Sequence, residues 1–374
     1  VEFNMKWFAP AADWVLSCED FDASLLPPDS SETLVATNPP WGSQAVRGTN
    51  YSDFSTQVVQ RLFLKLNAAS FCFVLPGSLF EVQKHSKFRR LISSLTQKVE
   101  VYYVGKSFKG LQTEVAVIYV ERSDGNPKSQ FLRFSDTKGS CFSINKSKIL
   151  SENGVGSFFI GNSDEFGDIW NKVKSTSTLN LADSSKFALG IVTGDNKKFL
   201  QKEPFENSEA CCVGRDIESM ESITPSSFIH FNPELFQQCA PESLLRSKSQ
   251  VVYRFIADKI ICTPASGEVL CLNSANLIVL DDSLPNWLIA TLLQSSISQS
   301  FFRLNFNSTK VLKSHILSIP LPNLDNNTVL NLLSSYEDLK SRKISKEIYF
   351  EFVNSVVNQH FMLSDGELAM LTAR

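Results

Sequence analysis

Apolar positions along residues 1–125 fall into two alternating registers. Leu34-Val35-Ala36, Ser70–Leu75, Val99–Val104 and Glu114–Val120 are short apolar runs of strand length. Between them, Phe54, Val58, Leu62 and Leu66 recur at helical spacing within Ser52–Leu66. Phe88–Leu95 predicts a basic amphipathic helix, and Met5–Val15 a further helix limited by Pro10. Val1-Glu2-Phe3 reads as the end of a strand. The first run stops at Pro39 and the second at Pro76, because proline cannot continue a central ladder. The order predicts an α/β sheet whose late strands pair around a loop rich in Gly and Lys. The strand Leu34–Ala36 is expected to be buried.

The pattern changes after residue 125. Ser, Asn, Lys, Gly and Asp dominate 126–185, with short aromatic runs such as Phe158-Phe159, and a β-rich connection is expected. Residues 186–322 hold many short mixed segments and predict a second, α+β domain. Residues 323–374 are expected to be helical and to pack back on the rest.

Composition narrows the class. The 374 residues are 43% hydrophobic and 20% charged, which fits a globular protein of two domains. No apolar run approaches about 18 residues, so no membrane span is expected, and no signal peptide is visible at Val1. The first residue is not Met, which reads as a fragment or a processed chain. Eight cysteines carry no Cys-x-x-Cys pair and only four histidines accompany them, so no zinc site is expected. Reduced thiols point to the cytoplasm. The net charge is −3, so any affinity for nucleic acid must come from local patches. One run, Lys84, His85, Lys87, Arg89 and Arg90, reads as a solvated surface, as does Lys197-Lys198.

The candidate chemistry lies directly after the first strand, in Asn38-Pro39-Pro40-Trp41-Gly42. As a turn the stretch needs no function, since Asn-Pro and Pro-Pro both mark turns. As a loop at a strand's carboxyl end it suits methylation of an exocyclic amine. That nitrogen is a poor nucleophile because its lone pair is delocalised into the ring. The Asn38 side-chain oxygen and the Pro39 carbonyl can accept its two hydrogens and leave the lone pair free. Trp41 offers a flat face for the base. No Pro-Cys dipeptide occurs, which disfavours cytosine-C5 methylation.

Asn-Pro-Pro followed by an aromatic resembles the signature of N6-adenine DNA methyltransferases, and the context resembles the TaqI-type and Type IIG restriction–modification enzymes. The likeness covers most of residues 1–322. It is strongest at 34–42, 71–80, 104–120, 187–200 and 252–322. It implies a Rossmann-like class I methyltransferase sheet, N-terminally truncated, in residues 1–125, and a DNA target-recognition domain in 186–322. It implies that Trp41 and Phe108 hold a flipped adenine between them. It implies that Glu2, Asp20 and Phe21 bind S-adenosylmethionine, and that Lys106, Lys109, Lys310 and Lys313 contact DNA. Asn307 and Ser308 flank the last two as further donors. The family's Gly-rich cofactor loop lies upstream of the Glu2 position, so an upstream domain or partner chain is expected to supply it. Three functions follow as expectations: a site-specific adenine-N6 methyltransferase acting on double-stranded DNA, a non-catalytic DNA-binding module, or an amino-methyltransferase acting on RNA or protein. The 186–322 segment speaks against the third. No metal is required for the methylation, and no nuclease site is visible.

Overall fold

The computed structural model describes residues 34–42, 53–66, 68–81, 85–105, 107–108, 114–122, 131–135, 141–146, 150, 163–176, 179–306 and 310–372. The protein is mixed α/β, and it divides into two compact units within the stretch 141–157.

The first unit is built on β1 (Leu34–Thr37), β2 (Ser70–Pro76), β3 (Thr96–Gly105), β4 (Val115–Arg122) and β5 (Phe131–Ser135), with helices α1 (Phe54–Lys65) and α2 (Ser86–Leu95). The sheet runs β1-β2-β4-β3-β5, and β6 (Cys141–Asn145) follows in the chain at the division between the units. β1 and β2 are parallel. β4 runs antiparallel to both β2 and β3 and lies between them, while β3 and β5 are parallel. The two late strands form an antiparallel pair, as their short connection requires. Period-2 alternation puts Phe71, Phe73 and Leu75 of β2 in the core. Phe63 of α1 meets Phe71 with ring centroids 4.5 Å apart. Asp53 caps α1 by accepting from Ser55 N at 2.9 Å. At the other end Arg122 donates to the Phe63 carbonyl at 2.8 Å, placing a cation where the helix dipole favours one.

Two expectations fail in this unit. β1 is not buried: Leu34 is 56% exposed. Among the described residues β1 is the end strand of the sheet, with β2 as its one strand neighbour. Nor are His85, Lys87, Arg89 and Arg90 a solvated surface throughout, since Arg89 is fully buried and His85 nearly so, while Lys84 lies outside the described residues. Arg89 donates to the Leu79 carbonyl at 2.8 Å, so its charged head is satisfied inside the unit.

The second unit contains two four-stranded sheets. One is β12-β11-β14-β7, from β7 (Ser185–Ala188), β11 (Gln250–Arg254), β12 (Cys262–Ala265) and β14 (Ala275–Leu280), and every pairing in it is antiparallel. The other is β13-β9-β10-β8, from β8 (Leu200–Gln201), β9 (Glu209–Cys212), β10 (Ser227–Ile229) and β13 (Leu270–Cys271). The first sheet is buried on both faces. Val251, Tyr253, Ile278 and Leu280 join a helical core. Val252, Ala275 and Leu277 join the core shared with the second sheet. This double burial is why β14 reads as an almost unbroken apolar run.

The helical core is formed by α3 (Asp164–Thr176), α4 (Asn286–Leu293), α5 (Ser296–Asn305), α6 (Lys313–Ser318), α7 (Asn326–Lys340), α8 (Lys346–His360) and α9 (Asp365–Thr372). Tyr349 of α8 shares a hydrogen bond of 2.6 Å with Thr291 of α4. The stretch 126–185 is therefore not β-rich throughout. Its last part is α3, whose Phe166, Ile169, Trp170 and Val173 are buried in the same core as the C-terminal helices. That spacing is helical in the sequence itself.

Candidate functional site

The loop after β1 is tied at two points. Trp41 donates its indole N–H to the Val74 carbonyl of β2 at 3.3 Å. Gly42 accepts from Phe54 N at 2.8 Å, at the start of α1. Gly42 has φ +133°, a conformation that side chains rarely adopt, and nothing lies within 4 Å of where a Cβ would stand. The glycine is required by the turn and not by crowding. Pro39 is buried, while Asn38 and Pro40 are exposed. The Asn38 carboxamide has no hydrogen-bond partner among the described residues. A stiff backbone thus presents a free amide beside a fixed aromatic face, at the carboxyl end of parallel strands.

Phe108 lies at this face. Its ring centroid is 5.6 Å from that of Trp41, with planes at 74°. The two rings expected to sandwich a base are brought together, but edge to face. Two part-exposed rings favour that contact, because the positive edge of one meets the negative face of the other. Phe108 remains 40% exposed. Of the other expected site residues in this unit, Glu2, Asp20, Phe21, Lys106 and Lys109 lie outside the described residues.

In the second unit Lys310 and Lys313 are both exposed. Lys310 sits 5.7 Å over the Phe255 ring, and Lys313 sits 5.4 Å over the Phe187 ring. Asn307 and Ser308 lie outside the described residues. His315 holds the turn that carries the two lysines. It stacks on Phe306 at 4.2 Å, and its Nδ1 accepts from Leu312 N at 3.3 Å. Burial holds its pKa down at about 4.

Three segments of this unit are tightly laced by backbone hydrogen bonds. Ile191 N donates to Cys271 O at 2.7 Å, and Asn273 N returns a bond to Ile191 O at 3.0 Å. Val192 N donates to Gln238 O at 2.8 Å, and Gln238 N donates to Val192 O at 3.0 Å. Gly190 permits this: a Cβ there would stand 2.3 Å from Leu272 O and 2.5 Å from Ala275 O. Gly190, one of two glycines in the Phe187–Leu200 stretch, is the one signal of this in the sequence.

Among the described residues no helix is long and apolar enough to cross a membrane. Nor does any group of three or more His, Cys, Asp or Glu side chains there stand ready to hold a metal.

Residues 210–324 match a family model, the TaqI-like C-terminal specificity domain. No curated protein sequence matches. Among solved structures, the chain is similar in fold to the Type IIL restriction–modification enzyme MmeI in complex with DNA. The identity there is 10% and the TM-score 0.58, over 91% of this chain and 56% of that one. The chain thus spans little more than half of MmeI. Weaker likenesses include a nuclease-deletion mutant of the Type ISP enzyme LlaGI with a DNA substrate mimic, at 10% identity and TM-score 0.48, over 81% of this chain and 41% of that one. Another is the HsdS subunit from Thermoanaerobacter tengcongensis, at 13% identity and TM-score 0.32, over 53% of this chain and 51% of that one.

Proposed function

We propose that this chain is the methylating and sequence-reading portion of a restriction–modification protein, a site-specific adenine-N6 methyltransferase of double-stranded DNA. The observation that carries the reading is the exposed Asn38 carboxamide, without a hydrogen-bond partner among the described residues, in the same loop as the tethered Trp41. The topology supports it, since β4 inserted antiparallel between β2 and β3 is the late hairpin expected of a methyltransferase sheet. The specificity-domain match at 210–324 supports the DNA-reading half.

In this reading the chain's own residues act on the base. Asn38 Oδ1 and the Pro39 carbonyl each accept one hydrogen of the exocyclic amine, which turns its lone pair outward. Trp41 supplies the stacking plane. Preorganised acceptors need little rearrangement as the nitrogen develops positive charge, and this lowers the barrier. S-adenosylmethionine would supply the methyl group. Glu2, Asp20 and Phe21, which would hold it, lie outside the described residues.

A second reading is a DNA-binding module without methyl transfer. It is favoured by one observation, that the family match falls on 210–324 and not on the Asn38 loop. Assay of the complete protein with a radiolabelled methyl donor separates the two. Asn38→Ala should abolish methyl transfer and leave DNA affinity within a few-fold. Wild-type turnover in that variant would exclude the catalytic assignment. DNA binding without methyl transfer by the wild type would favour the module.

A further inference from the structure

We propose that the edge formed by Val192–Lys198 and Gln237-Gln238 is where the second unit grips DNA, with the two glutamine amides reading base edges and Lys197 and Lys198 holding phosphates. The inference rests on the reading of this unit as a DNA specificity domain.

Rigidity is the first argument. A side chain discriminates bases only if its backbone is fixed, because a bidentate contact tolerates little displacement. Val192 and Gln238 exchange both backbone hydrogen bonds, at 2.8 and 3.0 Å. Ile191 is bonded on to Cys271 and Asn273. Gly190 is so closely packed that no Cβ fits.

The loop beyond is also set. Gly194 turns the chain at φ +81°. Asp195 Oδ1 accepts from Lys197 N at 3.0 Å and from Lys198 N at 3.3 Å. Thr193 donates to Asn196 Oδ1 at 2.6 Å. A Cβ on Gly194 would stand 3.3 Å from Gln237 Cβ, so the two segments form one continuous edge.

Availability is the second argument. Gln237 and Gln238 are exposed, and their side-chain amides make no hydrogen bond among the described residues. Each offers a donor and an acceptor, the pair that matches adenine N7 and N6 in the major groove. Lys197 and Lys198 are exposed and have no acid within ion-pair distance among the described residues. Two arginines of this unit, in contrast, are engaged in ion pairs. Arg246 holds Glu209 and Glu242, at 2.6 Å each, and Arg254 holds Glu218 at 3.0 Å. Two cations without an acidic partner among the described residues, Lys198 resting 5.2 Å over the Phe199 ring, beside two unbonded amides is the division a DNA contact uses, phosphates for position and base edges for sequence.

The test is selection from a randomised duplex pool with the 374-residue chain, followed by sequencing. Wild type should enrich one motif. Gln237→Ala or Gln238→Ala should lose preference at one position of it, by roughly 5- to 150-fold. The corresponding Gln→Glu variant should shift that position toward cytosine, whose amine donates to a carboxylate. Lys197→Ala and Lys198→Ala should weaken binding to all sequences alike, and each should lower the slope of log affinity against log salt by about 0.9. Circular dichroism should show all variants folded, since the lacing bonds are backbone bonds. If wild type selects a motif and every variant selects it equally with an unchanged salt slope, this edge is not the contact and the inference alone is overturned. If wild type selects no motif, the specificity-domain reading falls and takes the inference with it.

Discussion

Trp41 donates its indole N–H to the carbonyl of Val74, across from the loop after β1 to the neighbouring strand β2. The bond fixes the plane of the ring, and with it the plane on which a base would stack. Phe and Tyr offer the same aromatic face but no donor at this position. Trp41→Phe should therefore cost about 0.5–1.5 kcal/mol of stability, the net worth of one hydrogen bond. It should keep most of any methyl transfer. Trp41→Ala should lose the stacking as well, a further ~1–3 kcal/mol in base binding. Urea unfolding and turnover measured on the same three proteins decide this. Equal turnover in the Phe and Ala variants would show that the ring does not touch the base.

Arg89 is the test of the first unit's core. It is wholly buried and bonded to Leu79 O, while its neighbour Lys87 is exposed. Arg89→Ala leaves a cavity and strands a buried carbonyl, and should cost about 2–4 kcal/mol. Lys87→Ala should change stability by less than about 0.5 kcal/mol. Urea midpoints that fall equally for both would mean that Arg89 is solvated after all.

Two glycines make a matched pair in the second unit. Gly190→Ala drives a methyl to within 2.3 Å of a backbone oxygen, where no side chain can yield. A loss of about 3 kcal/mol or more is expected, as for other overpacked sites. Gly366, near the start of α9, has nothing within 4 Å of a Cβ. Gly366→Ala should stabilise by up to about 1 kcal/mol, because alanine loses less backbone freedom in a helix. Thermal melts should move in opposite directions, and a neutral Gly190→Ala would refute the close packing.

His315 predicts a pH dependence. Its pKa falls from 6.5 to about 4 on folding, chiefly through burial. The unfolded chain therefore takes up a proton that the folded one refuses. The stability linked to this residue is present above about pH 6.5 and is lost as pH falls toward 4. His315→Gln should show a lower stability at pH 7 but a flatter dependence between pH 6.5 and 4. Unfolding curves across that range check it, and identical slopes would remove His315 from the account.

The sequence alone carried the elements of the first unit, because each is a local pattern. The run Ser70–Leu75 alternates at period 2, Phe54–Leu66 repeats at helical spacing, and Pro76 and Pro39 stop the strands wherever the chain goes. It also carried the candidate chemistry, since Asn38, Pro39 and Trp41 are consecutive enough to be read together. What it could not supply were relationships set by distant residues. Burial of Arg89 depends on Leu79 O being in reach, exposure of Leu34 on β1 standing at the end of the described sheet. Trp41 and Phe108 could be paired from family likeness, but their edge-to-face contact is decided by ring electrostatics once the loops meet. In the second unit β14 reads as plain apolar sequence, and only the two cores on either side give its alternate residues different partners. The lacing of Ile191, Gln238 and Cys271 is made by backbone groups, which every sequence carries alike. Their pairing is therefore visible only when the chain has been brought together in space.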